Sequence, residues 1–103
     1  MSTTDAKGER RAATHEAARE VTVTNRQGLH LRPARLLVQT ASGFRSEVAL
    51  EKAGVSVSAK SIMGLMTLEG YTGARIRVKA RGPDAEKAVA AICELFEKKF
   101  FED

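Results

Sequence analysis

The segment Gly28-Leu29-His30-Leu31-Arg32-Pro33-Ala34 places an imidazole directly before a helix start marked by proline, with an arginine two residues further on. Imidazole is a competent nucleophile near neutral pH. The first turn of a helix presents backbone N–H groups without intrahelical acceptors, and the positive end of its dipole favours an anion. Arginine adds a planar fork matched to phosphate oxygens. His30 and Arg32, with the backbone amides of Leu31 and Arg32, therefore form a set suited to taking a phosphoryl group onto the ring and giving it up again. Pro33 forfeits nothing, because an N–H in the first turn has no helical partner. Gly28 permits a tight backbone approach ahead of His30.

A second cluster begins at Lys60-Ser61. Ile62, Met63, Leu65 and Met66 follow, apolar nearly all round a helix too short to bury every one of them. Leu65 is assigned to the core. Ile62, Met63 and Met66 are candidates for an exposed docking patch, since methionine adapts to varied partners. Ser61 suits the N-cap of this helix. Arg35, one turn beyond Leu31, is a candidate for meeting an acidic partner.

The elements that must position these residues follow from periodicity. Glu20 to Asn25 alternates with β-branched residues and reads as a strand, and Arg26-Gln27-Gly28 is the turn after it. Arg32 to Ala41 carries Ala34, Leu37, Val38 and Ala41 on one helical face, and Ser42-Gly43 ends it, with glycine suited to a left-handed cap. Phe44 to Glu51 is the second strand. It turns at Lys52-Ala53-Gly54 and returns through Val55 to Ala59 as an antiparallel hairpin. The short helix spans Ile62 to Leu68, and Glu69 to Gly73 breaks the pattern. Ala74 to Arg81 alternates apolar and basic residues. Gly82-Pro83-Asp84 announces the last helix, with Asp84 as its cap and Ala85, Ala88, Val89, Ile92 and Phe96 as its stripe. Phe100-Phe101 is expected to close that helix end onto the domain.

The order is β-α-β-β-α-β-α, which implies an α+β fold: an open-faced β-sandwich, a four-stranded antiparallel sheet with three helices on one face. The chain has 103 residues, enough for one compact domain. Residues 1–19 are expected as a flexible N-terminal extension and residues 20–103 as the domain. Ala12 to Glu20 reads as at most a transient helix, its apolar residues being mainly alanine. The net charge is +4. The first 19 residues hold four Lys/Arg and three Asp/Glu, leaving 13 and 10 for the rest, so the excess is mild and lies mostly in the domain. That balance suits acidic partner surfaces or phosphate. No segment has the apolar length of a membrane span or a secretion signal, so the expected location is cytoplasmic, without membrane insertion. The lone Cys93 excludes an internal disulfide and a cysteine-built metal site. No metal or cofactor is expected.

From Val21 to the C-terminus the chain resembles the HPr family, the histidine-containing phosphocarriers of the bacterial phosphotransferase system. The resemblance rests on Gly28-Leu29-His30-Leu31-Arg32-Pro33-Ala34, on Ser58-Ala59-Lys60-Ser61-Ile62-Met63-Gly64-Leu65-Met66 and on the order of elements. It implies that His30 accepts a phosphoryl group on Nδ1 from phosphorylated enzyme I and passes it to IIA components of sugar transporters. Such a protein is a carrier with a phosphohistidine intermediate rather than a free-standing enzyme. The resemblance also implies docking through Ile62, Met63 and Met66. It further implies regulatory phosphorylation of Ser61 by HPr kinase/phosphorylase, and a transcriptional regulator as a further partner. Glu69 stands where many relatives have a small residue. Two other readings compete. One keeps the chemistry in a nitrogen-related or purely regulatory relay without sugar transport. The other is a small nucleic-acid-binding module using Arg75, Arg77, Lys79 and Arg81, disfavoured because no dense basic run or paired surface aromatics accompany them.

Overall fold

The computed structural model describes residues 15–102. The elements are β1 (Glu16–Thr22), α1 (Leu31–Ser42), β2 (Glu47–Lys52), β3 (Val55–Ser58), α2 (Ile62–Thr67), β4 (Arg75–Arg81) and α3 (Ala85–Glu97), followed by a short turn at Lys99–Phe101. The expected β-α-β-β-α-β-α order is therefore present. The sheet is antiparallel throughout, in the order β1-β4-β2-β3.

Strand alternation makes the sheet two-faced. In β4, Ile76, Val78 and Ala80 point into the core while Arg75, Arg77, Lys79 and Arg81 stay exposed. Val48 and Leu50 of β2 join the buried side. Against that side pack Ala34, Leu37 and Ala41 of α1, Leu65 of α2, and Ala88, Val89, Ile92 and Phe96 of α3. Each large aliphatic side chain so buried contributes roughly 1.5–3 kcal/mol. The core is mostly aliphatic, with Phe96 and Phe100 meeting edge to face at 4.9 Å.

The first strand begins earlier than the sequence suggests. Residues 16–19, expected in the extension and within a transient helix, pair instead with β4, from Glu16 opposite Arg81 to Thr22 opposite Arg75. The His15 carbonyl continues the ladder by accepting from the Gly82 amide. Alanine and glutamate favour helix in isolation, but β4 presents a seven-residue row of backbone groups that need partners, and pairing overrides that weak preference. Residues 1–14, the rest of the expected extension, lie outside the described residues.

Three end features also depart from expectation. Strand β2 starts at Glu47 rather than Phe44, because the Asp84 carboxylate accepts from the Arg45 and Ser46 amides and from the Ser46 hydroxyl. Asp84 thus ties this loop to the start of α3 instead of capping its own helix with its side chain. Those hydrogen bonds lower its pKa from the ordinary carboxylate value to about 2. Gly43 ends α1 in right-handed geometry, φ −79°, with its N–H folded back to Thr40 and Ala41. Phe100 is buried as expected, whereas Phe101 is 61% exposed.

Candidate functional site

The loop before α1 is held by a backbone contact that only glycine allows. Gly28 has φ +71°, and a Cβ there would lie 2.4 Å from the Gly70 carbonyl oxygen. A Cβ on Gly70 would in turn lie 2.7 Å from the Leu29 side chain. This close approach lets the Leu29 amide bond Gly70 O at 2.8 Å and buries Leu29. The next residue, His30, is thereby delivered to the surface as the N-cap of α1.

As N-cap, His30 has extended backbone geometry, φ −88° and ψ −168°, and its side chain makes no capping hydrogen bond. The first helical bond at this end is Ala34 N–H to His30 O, 3.0 Å. Leu31 and Arg32 N–H therefore have no helical acceptor. The side chain is half-buried, 33% exposed, so part of the ring meets solvent.

The ring does not stand alone. His30 Nε2 lies 3.0 Å from Oε1 of Glu102, and Arg32 Nη1 lies 3.0 Å from Oε2 of the same carboxylate. Asn25 Nδ2 adds a third contact, 2.9 Å to Oε1. Arg32 Nη1 also donates to the Phe100 carbonyl at 2.9 Å, and Asn25 Nδ2 to the Gly28 carbonyl at 2.8 Å. Asn25 is fully buried and its Oδ1 has no partner among the described residues, so both its bonds leave through the amide nitrogen. The His30 and Asn25 hydrogen bonds lead in holding the Glu102 carboxyl below the ordinary glutamate range. A carboxylate 72 residues away in sequence thus engages the side-chain donors of His30, Arg32 and Asn25 at this helix mouth.

A tight turn carries Glu102 there. Lys99, Phe100 and Phe101 all have positive φ, between 53° and 62°. Each such non-glycine residue costs roughly 1–3 kcal/mol of strain. The opposing gains are burial of Phe100 against Phe96 and the three donors on Glu102.

The other sequence candidates fall into place around this centre. Leu31 is 51% exposed, and Arg35 lies on the exposed side of α1. His30, Leu31, Arg32 and Arg35 line a shallow depression of about 480 Å³ with Leu36 and Gln39. Ser61 is the N-cap of α2, its Oγ accepting from Gly64 N–H at 3.0 Å. Helix α2 packs against α1. Met63 is 80% exposed and Met66 is also exposed, Ile62 is half-buried and Leu65 is fully buried. Glu69 adopts φ +60°, a conformation that glycine reaches without strain. A larger concavity of about 930 Å³ lies on the open sheet face, away from His30.

Sequence reasoning missed Asn25 and Glu102. A polar residue three positions before Gly28, at the end of a strand, was a faint signal for the first. Nothing local marked the second, since 72 residues separate it from His30.

Residues 17–98 match the family described as the PTS HPr component phosphorylation site. The phosphocarrier protein HPr of Xylella fastidiosa (strain Temecula1) is 50% identical over 84 residues, covering 82% of this chain and 94% of that protein. The HPr of Treponema pallidum (strain Nichols) is 45% identical over 83 residues, covering 81% and 94%. Among solved structures, HPr from Thermoanaerobacter tengcongensis superimposes with a TM-score of 0.82 at 44% identity, covering 84% of this chain and 98% of that one.

Proposed function

This chain belongs to the HPr family of phosphotransferase-system phosphocarriers, and from that premise we propose that His30 is its phosphoryl acceptor, charged by phosphorylated enzyme I and discharged to IIA components of sugar transporters. The observation that carries this reading is the partly exposed imidazole at the mouth of α1, with the Leu31 and Arg32 amides and the Arg32 guanidinium beside it.

The step is an exchange between two imidazoles. The lone pair of His30 Nδ1 attacks phosphorus as the donor's N–P bond breaks, and the bonding pair leaves with the donor nitrogen. Nε2 keeps its proton, so the acceptor ring becomes cationic while the phosphoryl oxygens stay anionic. Protein assistance consists mainly of positioning and charge stabilisation. Each exposed helix-terminus contact contributes roughly 0.3–1 kcal/mol, and one charge-assisted arginine bond roughly 1.5–3 kcal/mol. Such modest binding fits a carrier that must release its cargo.

The same reading assigns docking to the apolar surface of Ile62, Met63 and Met66, with Leu31 extending it and Arg35 meeting acidic partner groups. It goes with a cytoplasmic location, and no described helix is long and apolar enough to cross a membrane. Ser61 is read as a regulatory site for HPr kinase/phosphorylase. A phosphate there would keep an acceptor for Gly64 N–H while adding negative charge beside the docking surface. The nucleic-acid alternative finds no support on the sheet face. Arg75, Lys79 and Arg81 lie 2.6, 2.9 and 4.0 Å from Glu20, Glu51 and Glu16.

Incubation of the purified protein with enzyme I and phosphoenolpyruvate, followed by mass measurement, tests the central claim. One acid-labile phosphoryl group is expected on wild type and none on His30→Ala. Stoichiometric label on the variant would remove His30 from the role. Ser61→Asp is expected to weaken enzyme I binding by roughly tenfold, about the 1.4 kcal/mol of one charged contact. Unchanged affinity in titration calorimetry would rule out the regulatory reading.

A further inference from the structure

We propose that Phe101 is a docking residue for the phosphoryl donor, its exposed ring entering an apolar recess on the protein that charges His30. The inference rests on the phosphocarrier reading of His30 and extends its interface to the C-terminal turn.

Phenylalanine is a poor choice for the fold at this position. Its φ is +62°, in the left-handed region, where a bulky side chain is an outlier. Glycine would take this conformation without strain, and asparagine takes it more readily than an aromatic residue. The turn does not need the ring for its hydrogen bonding. The Phe101 amide donates to the Lys98 carbonyl at 2.9 Å, a bond that any residue except proline could make. Phe100 offsets its own left-handed backbone by complete burial, whereas Phe101 is 61% exposed. Within the chain the ring has Lys98 Nζ over it, 5.9 Å from the centroid, and such a contact at an exposed site is weak.

The place of Phe101 in the fold supplies the missing gain. The oxygen of the peptide group joining Phe100 to Phe101 lies 2.9 Å from Arg32 Nη1, and the next residue, Glu102, meets His30. Phe101 is thus tied on both sides to the mouth of α1, where a protein exchanging a phosphoryl group with His30 must approach. The other large exposed apolar residues concentrate there too. Leu31 begins α1, Met63 and Met66 lie on α2, which packs against α1, and the backbone of Tyr71 touches Gly28. Val55, on the β2–β3 hairpin, is the exception among the described residues. Exposed apolar side chains gathered in one region mark an interaction surface, whereas scattered ones do not. Exposed Lys98 and Lys99 precede the ring, and Arg32 binds the same turn, so the complementary surface is an apolar recess edged with carboxylates. His30 held by Glu102 is the form that accepts a phosphoryl group, so the partner met by the turn in this shape is the donor.

The test titrates full-length wild type, Phe101→Asn and Phe101→Trp with unphosphorylated enzyme I in a calorimeter. Asparagine suits the left-handed backbone and removes the ring, so the urea midpoint of Phe101→Asn is expected to equal or exceed that of wild type. Its Kd for enzyme I is expected to rise roughly five- to tenfold, the loss of one well-packed aromatic anchor. Phe101→Trp keeps an aromatic anchor and is expected to stay within about twofold. In both variants kcat for phosphoryl uptake should stay within about twofold, the loss in Phe101→Asn falling on KM. An unchanged Kd for enzyme I in Phe101→Asn would overturn the proposal, even if binding to IIA components fell. So would a Phe101→Trp Kd as weak as that of Phe101→Asn. A weaker Kd in Phe101→Asn joined to a lower urea midpoint or to displaced His30 ring resonances would also overturn it, because the ring would then act through the turn. Absence of label on wild-type protein after incubation with enzyme I and phosphoenolpyruvate would instead overturn the phosphocarrier reading. The two failures are separable because the titration involves no phosphoryl transfer.

Discussion

On the open sheet face, Arg75, Arg77, Lys79 and Arg81 stand among Glu16, Glu20, Glu47 and Glu51, whereas at the mouth of α1 His30, Arg32 and Asn25 converge on the single carboxylate of Glu102. Both regions are rich in charge. On the sheet, antiparallel register sets each basic side chain of β4 beside acidic ones from β1 and β2, so the charges cancel locally and in water. At the helix mouth, donors from the single stretch Asn25 to Arg32 meet one acceptor carried in by residue 102, and one of them, Asn25, is buried in the core. A basic stripe in the sequence thus belongs to the solvated face, while a single His-x-Arg marks the place where an anion is held.

The comparison can be broken most forcefully from behind the site. Phe100→Ala removes a fully buried ring that anchors the left-handed turn, and is expected to lower stability by roughly 3–5 kcal/mol in urea unfolding. The His30–Glu102 contact should be lost with it. A loss below about 1 kcal/mol would show that the turn is held by its polar contacts alone. Next in size is Arg32→Ala, expected to slow phosphoryl transfer by about tenfold, the lower end for a charge-assisted bond because the side chain is more than half exposed. Unchanged stopped-flow kinetics would deny it a part in transfer. The smallest effect belongs to the sheet. A double-mutant cycle on Lys79 and Glu51 should give a coupling below about 1 kcal/mol, as exposed pairs do. Salt-dependent binding of RNA or DNA by the wild type, lost in Lys79→Ala, would reverse the contrast between the two regions.

Much of the fold was legible in sequence because its signals are local. The alternation in Ala74–Arg81 and the stripe from Ala85 to Phe96 each report one buried face. His30, Arg32 and Pro33 announced a helix mouth through types and spacing within a few residues. The failures have a common origin. Residues 16–19 look helical until β4 offers them a row of backbone partners. Asp84 looks like a cap for its own helix until the amides of Arg45 and Ser46 come within 3.0 Å. In each case a partner distant in the chain competes with a local preference worth only a fraction of a kcal/mol per residue.

Sequence alone determined the order of elements, the apolar face of each, and the candidate nucleophile proposed at His30 with its neighbouring guanidinium, since all of these depend on spacings of two to four residues. The tertiary structure alone decided that Glu102 and Asn25 join the candidate site. Glu102 meets both His30 and Asn25 because burial of Phe100 brings residue 102 back to the mouth of α1. A contact spanning 72 residues leaves no periodicity to read, because it is set by how the packed elements meet rather than by the pattern within any one of them.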